Sequence, residues 1–323
     1  MTSAAKAKPA ANSTAEAVHH GIPASSLLQI GILTLVWGCN WPVLKFGVTE
    51  LAPLTFRSTT LVFAAIGLLI VAKCSGHSIL IPREHWGKVA ALSVFNISAW
   101  NGLVLFGVQQ MQAGRSAILA YTMPMWAVLI SFWLLHEPLS RRKIVGLALG
   151  MCGMLVLLGD DVRSLQSAPL GALLILGAAI SWAFGTVLLR RWKLPIPQDT
   201  LTGWMMILGW IPLIICAPLF DPHMLQTITH MSGGAWFAVL YNIFLAGTLA
   251  HWAWFKMART LPVAISGLAS LPVPVVGVLS GMLFLGERPG AGEFIALGLV
   301  LASLAAVLFA PGPKATATPA APE

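Results

Sequence analysis

LLHEPLSRRKIVGLALGMCGMLVLL, residues 134–158, returns in altered form as FLGERPGAGEFIALGLVLASLAAVL, residues 284–308. At an offset of about 150, Glu137 meets Glu287 and Leu147 meets Leu297. In each copy an apolar run ends, a short turn carries the glutamate, and a Gly/Ala/Leu-rich run begins. The same offset pairs Pro124 with Pro274 and Asn101 with His251, and one of about 145 pairs Trp37 with Trp182 and Lys45 with Arg190. A shared Glu, Pro and aromatic pattern exceeds what a common composition supplies, so the chain reads as two copies of one unit.

The unit is made for a bilayer. The chain has 323 residues, 57% hydrophobic and only 9% charged, with a mean hydropathy of +0.83. A soluble domain carries roughly a quarter charged residues, so a water-soluble binding module is excluded. A membrane-spanning helix needs about 20 apolar residues. Ten such runs follow one another, at 26–46, 53–72, 87–109, 115–135, 143–159, 169–190, 200–219, 233–256, 262–285 and 292–310. The fold class predicted is an all-α membrane protein of ten transmembrane helices. Residues 26–159 and 160–310 form its two five-helix repeats, with tails at 1–25 and 311–323 expected to be disordered. The first run is too long for a signal-peptide core and lacks a small-residue cleavage site at the right place. Five crossings per copy is odd, so the copies are inverted with respect to each other, the architecture that permits alternating access about a central cavity.

Charge sets the predicted orientation. With the N-terminus inside, the inside segments hold 14 Lys and Arg, the outside loops hold 4, and Arg57 lies within the second span. That bias predicts cytoplasmic termini in a plasma membrane, the bacterial inner membrane by preference. The net charge of +8 is dispersed over short loops and does not point to nucleic acid. Cys39, Cys74, Cys152 and Cys216 lie far apart with no metal spacing and read as small apolar residues. No GxxxxGK(S/T) phosphate loop occurs, nor any paired acid and base or metal-ligand set in the membrane. The expectation is no enzyme, no cofactor and no metal. A pore should show a repeated ring of one residue type, and none appears.

Taken in order, these stretches resemble the EamA domain of the drug/metabolite transporter superfamily. There each copy opens with a Trp-Gly-x-Asn-like stretch, here WGCNWPVLK at 37–45. The second span carries an Arg before small and apolar residues, as in LTFRSTTLVFAAI at 54–66. The fourth span has a proline, AILAYTMPMWAVL at 117–129, and ends in a Gly-Glu-like turn, LLHEPLS and FLGERPG. The second copy departs: WAFGTVLLRR at 182–191 lacks the Asn, and Trp204 stands near the place of Arg57. The likeness covers nearly all of 26–310 and implies a ten-helix exporter of small metabolites. The nearest group would be the YddG-like exporters of amino acids, aromatic ones included.

Polar residues inside the spans mark the candidate cavity. Spans five and ten have almost none, so they should be peripheral, and Gly146 and Gly150 make a small-xxx-small pair for helix packing or a dimer face. The others supply Asn40 and Trp41; Asn96, Trp100 and Asn101; Tyr121 and Met125; Trp182 and Thr186; Tyr241, His251 and Trp252; and Ser266. Asn96 and Trp100 stack at i, i+4 if the helix is regular. An amide in hydrocarbon costs several kcal/mol unless bonded, so Asn40 faces a wet cavity or bonds a neighbouring helix, while Trp37 and Trp41 line the cavity or sit in an interfacial belt. Pro42 should loosen the backbone and free a carbonyl. None of the eleven acidic residues lies at mid-membrane, which argues against a carboxylate proton relay. His251 is the one intramembrane histidine: a relay, a substrate contact, or a bonded neutral ring. Arg57 either binds a substrate carboxylate or snorkels outward.

Aromatic walls with amides and hydroxyls suit zwitterionic solutes; cation–π attraction would also admit organic cations. The reading is therefore an exporter of small metabolites, foremost amino acids, without obligatory proton coupling. The alternative is a proton-coupled multidrug or cationic-compound antiporter that depends on His251. Either would act as a monomer or a dimer, with the lipid bilayer and a small solute as its partners.

Overall fold

The computed structural model describes residues 24–164, 169–254 and 271–308. The helices are α1 (Ala24–Glu50), α2 (Pro53–Cys74), α3 (Arg83–Gln110), α4 (Ala113–Leu135), α5 (Arg141–Ser164), α6 (Pro169–Trp192), α7 (Gln198–Phe220), α8 (Gly233–Trp254), α9 (Pro272–Leu285) and α10 (Ala291–Leu308). A short helix, Met224–Thr229, joins α7 to α8. Among the described residues nine helices are long and apolar enough to cross a membrane, and α9 is a shorter apolar helix. The part of the ninth predicted span before 271 lies outside the described residues.

Every helix keeps large apolar side chains exposed, among them Leu35, Phe63, Trp133, Leu155, Leu173, Leu219, Phe244 and Leu283. In water such a surface would aggregate; in a bilayer it is the lipid-facing wall. Lipid provides no hydrophobic drive between helices, so close packing and hydrogen bonds must hold them together. α5 and α10 show how. A Cβ on Gly146 would press on Val307 and the Ser303 carbonyl, and Ser303 Oγ donates to the Gly146 carbonyl at 2.6 Å. The Gly146–Gly150 stripe is thus used within the chain, against α10, and not left as an outer face.

The helix pairing repeats under exchange of the halves. α1 packs on α9 as α6 packs on α4; α2 packs on α8 as α7 packs on α3; the pairs α2–α7 and α5–α10 map onto themselves. The matched crossings share their hydrogen bonds. Ser98 Oγ of α3 donates to Gly209 O of α7 at 2.9 Å, and its counterpart Thr248 Oγ1 of α8 donates to Ala64 O of α2 at 3.4 Å. Each crossing needs a glycine: a Cβ on Gly209 would meet Ile97, and one on Gly247 would meet Ala64. The two offsets, about 145 and about 150, differ because the second half has the longer link between its second and third helices, where Met224–Thr229 sits.

Matched turns close α4 and α9. His136 (φ 55°) and Gly286 (φ 66°) are left-handed, and the next amides, Glu137 N and Glu287 N, reach back to Ser131 O and Gly281 O at 3.4 and 3.2 Å. This six-residue return bond ends a helix cleanly and aims both glutamates at other helices. Both oxygens of Glu287 accept from the first amides of α4, Ala113 N at 2.5 Å and Gly114 N at 3.0 Å, where a carboxylate also suits the helix dipole. On the opposite face Glu137 pairs with Arg190 at 2.6 Å and Lys143 at 3.5 Å.

Candidate functional site

Three helices meet the middle of the molecule with stripes at helical spacing. α1 presents Trp37, Asn40, Trp41 and Leu44; α3 presents Ile97, Trp100, Asn101 and Val104; α2 presents Arg57, Thr60, Leu61 and Ala64. With Tyr121 and Met123 of α4, Trp182 of α6, Met206 of α7, and Asn242, Ala246, Gly247 and His251 of α8, they enclose a cavity of about 180 Å³. That lies below the roughly 300–1,000 Å³ of pockets for drug-sized ligands, so the space fits a small solute.

Local irregularities build this cavity. α4 breaks after Ala120 and resumes at Met123 with Pro124 in its first turn, which sets the Tyr121 ring at the break and against the cavity. α3 and α8 are wound as π-helices at Val94–Ala99 and Tyr241–Leu249, overlapping segments of the two halves. A π turn inside a helix is frequent at functional sites. In α8 the wide turn lets His251 Nδ1 bond the Ala246 carbonyl, five residues back, at 3.0 Å, and the imidazole meets Trp37 edge-on, centroids 5.5 Å apart. Trp100 and Trp182 make a second aromatic contact at 5.0 Å. In α1 the helix runs on through Pro42. The carbonyl that Pro42 leaves without an intrahelical donor, Gly38 O, accepts from Ser280 Oγ of α9 at 3.4 Å.

Charge in the cavity is one-sided. Arg57 Nη1 stands 3.5 Å from Asn242 Oδ1; among the described residues its buried Nε has no acceptor and Asn40 Oδ1 has no donor. Among the described residues no Asp or Glu lines the cavity.

Of the residues predicted for the site, Asn40, Trp41, Trp100, Asn101, Tyr121, Trp182 and His251 line this cavity. Five others lie elsewhere. Asn96 is buried where α3 passes Gly185 of α6, and Met125 is buried against Gly150 of α5. Thr186 spends its hydroxyl on Trp182 O of its own helix at 2.8 Å. Tyr241 donates to Val36 O at 2.7 Å, and Trp252 packs on the α2–α3–α7 cluster. Ser266 lies outside the described residues. Sequence reasoning left Arg57 between two roles and passed over Thr60 and Met206. The signal for the α2 face was its stripe, Arg57, Thr60, Leu61 and Ala64 at i, i+3, i+4 and i+7, where the cation and a hydroxyl share one side.

A family model described as the EamA-like transporter family matches residues 25–159 and again 169–309. An uncharacterized transporter of Bacillus subtilis, YoaV, is 26% identical over 279 residues, which is 86% of this chain and 92% of that protein. A probable amino-acid metabolite efflux pump of Escherichia coli is 24% identical, over 84% of this chain and 91% of its own. One solved crystal structure superposes with a TM-score of 0.61 at 19% identity, over 88% of this chain and 98% of that one, a likeness of fold.

Proposed function

Because the chain belongs to the EamA-like transporter family, we propose that it exports small metabolites, foremost amino acids with neutral or aromatic side chains, by alternating access between its two halves. The family and the relatives are transporters and not enzymes, and the chain is a multi-pass membrane transporter. The amino-acid reading rests on one observation above all: the cavity joins aromatic walls to a small set of amides and one cation, with no carboxylate among its described lining residues. That chemistry takes a solute with an apolar side chain and a zwitterionic head. A relative named as a probable amino-acid metabolite efflux pump supports the same class. With no acidic relay in the lining, carriage runs down the solute gradient without obligatory proton coupling. The excess of Lys and Arg on one set of loops supports cytoplasmic termini in the plasma membrane.

His251 favours a second reading, proton-coupled efflux of cationic compounds, because its imidazole does line the cavity. The permanent cation of Arg57 beside it opposes a cationic cargo. Counterflow in proteoliposomes separates the two. Vesicles loaded with an unlabelled amino acid should take up the labelled one saturably, equally with and without a pH gradient, and His251→Ala should keep downhill flow at every pH. Absence of amino-acid uptake together with pH-driven loss of a cationic dye would replace the main reading with the second.

A further inference from the structure

Among the described residues Arg57 is a charge without a counter-charge: its guanidinium enters the cavity from α2 with one weak acceptor there, Asn242 Oδ1 at 3.5 Å, and a buried Nε that meets none of them. Asp221 accepts from the hydroxyl of Thr55, two residues earlier on α2, at 2.8 Å and does not line the cavity. The other acids with described side chains also lie outside the cavity: Glu137 holds Arg190 and Lys143, Glu293 holds Arg115, Asp199 holds His77, Glu84 lies against His85, Glu50 accepts from Ser232, and Glu287 caps α4. A cation taken out of water without a partner is costly, and an arriving anion recovers much of that cost. The planar fork of a guanidinium matches a carboxylate through two parallel N–H donors.

We infer that Arg57 binds the carboxylate of the transported solute, with Asn242 as the residue that positions its guanidinium, and that the carrier therefore refuses solutes without a carboxylate. Asn242 is itself fixed, buried and donating through Nδ2 to Ala238 O at 3.1 Å, which leaves its oxygen to orient the guanidinium. Asn40 Oδ1, buried without a donor, is the acceptor that remains for an ammonium. The solute thereby gains a polarity inside the cavity: acid at α2 and α8, amine toward α1. This assignment rests on the amino-acid reading and narrows it to the recognised group.

The test uses wild-type proteoliposomes in phenylalanine counterflow with four competitors: phenylalanine, 3-phenylpropionate, phenylalaninamide and phenethylamine. The two carboxylates should compete, and the amide and amine should be at least roughly 30-fold weaker, as loss of a charge-assisted pair requires. Arg57→Gln should raise the KM for phenylalanine at least about 30-fold, and Arg57→Lys by about tenfold, for it keeps the charge and loses the fork. Asn242→Asp places a carboxylate against Arg57. It should abolish phenylalanine uptake while leaving the melting temperature unchanged or higher, a split that a merely structural role would not produce. The same four compounds, ranked by thermal stabilisation of the purified protein, score Arg57 without any flux. Absence of flux for every amino acid overturns the amino-acid reading alone. Equal effects of acid and amine, or stabilisation by neither acid, overturn the assignment of Arg57.

Discussion

Asn96 and Gly185 meet where α3 crosses α6, and the fit leaves no room for a methyl group: a Cβ on Gly185 would overlap the Asn96 amide oxygen. Asn96 is 4% exposed. Gly185→Ala should therefore destabilise the protein by about 1–3 kcal/mol, the usual cost of overpacking. Asn96→Ala, which clears the space, should restore most of it in the double variant. Melting followed by fluorescence in detergent checks this, and additive losses would refute the contact. The same pair shows what a sequence hides at this scale. Asn96 was expected to stack with Trp100 at i, i+4, a rule that holds for α winding. The π turn over Val94–Ala99 contains Asn96 and ends just before Trp100, and Trp100 lines the cavity while Asn96 does not. Arg57 was undecidable for another reason: snorkelling and cavity-facing differ only in which way one face of α2 turns, and that depends on the neighbours it packs against.

At the scale of the helix, apolar length announced each span, and seven of the ten predicted spans lie in helices described over their whole length. Hydrogen-bond register was not legible. α1 runs to Glu50, past the predicted end of its span at 46, and Pro42 inside it does not break the helix because the freed carbonyl finds another donor. That gives a sharp prediction. Ser280→Ala should cost about 1 kcal/mol in the native protein, since Gly38 O loses its donor. In a Pro42→Ala background the amide returns to Gly38 O, and Ser280→Ala should then cost less, since only its bond to Gly277 O of its own helix is lost. Thermal melts of the four proteins in the cycle measure the coupling; equal costs in both backgrounds would show that Ser280 does not serve that carbonyl. The π segments of α3 and α8 belong to the same class of feature. Ser98 and Thr248 each reach the carbonyl five residues behind, at 3.4 and 2.8 Å, and bond the partner half as well.

The architecture of the whole molecule was the most legible part, since duplication and hydropathy are sums over many residues and survive single errors. Orientation can be tested through Cys74, exposed in the last turn of α2, which the positive loops assign to the cytoplasm. In a variant with Cys39, Cys152 and Cys216 replaced by Ala, a membrane-impermeant maleimide should spare Cys74 in intact spheroplasts and label it after permeabilisation. Labelling of intact spheroplasts would turn the molecule over. The proposed carriage without a coupled ion also has an electrical meaning. A carrier that returns with no co-transported ion moves only the net charge of its cargo. On a zwitterion the membrane potential performs no work over a full cycle. On a dicarboxylic amino acid, with one extra negative charge, 100 mV negative inside adds about 2.3 kcal/mol toward the exterior, which sustains a roughly 50-fold outward gradient. The same cavity would thus merely level a neutral amino acid across the membrane, and would expel an acidic one against its concentration.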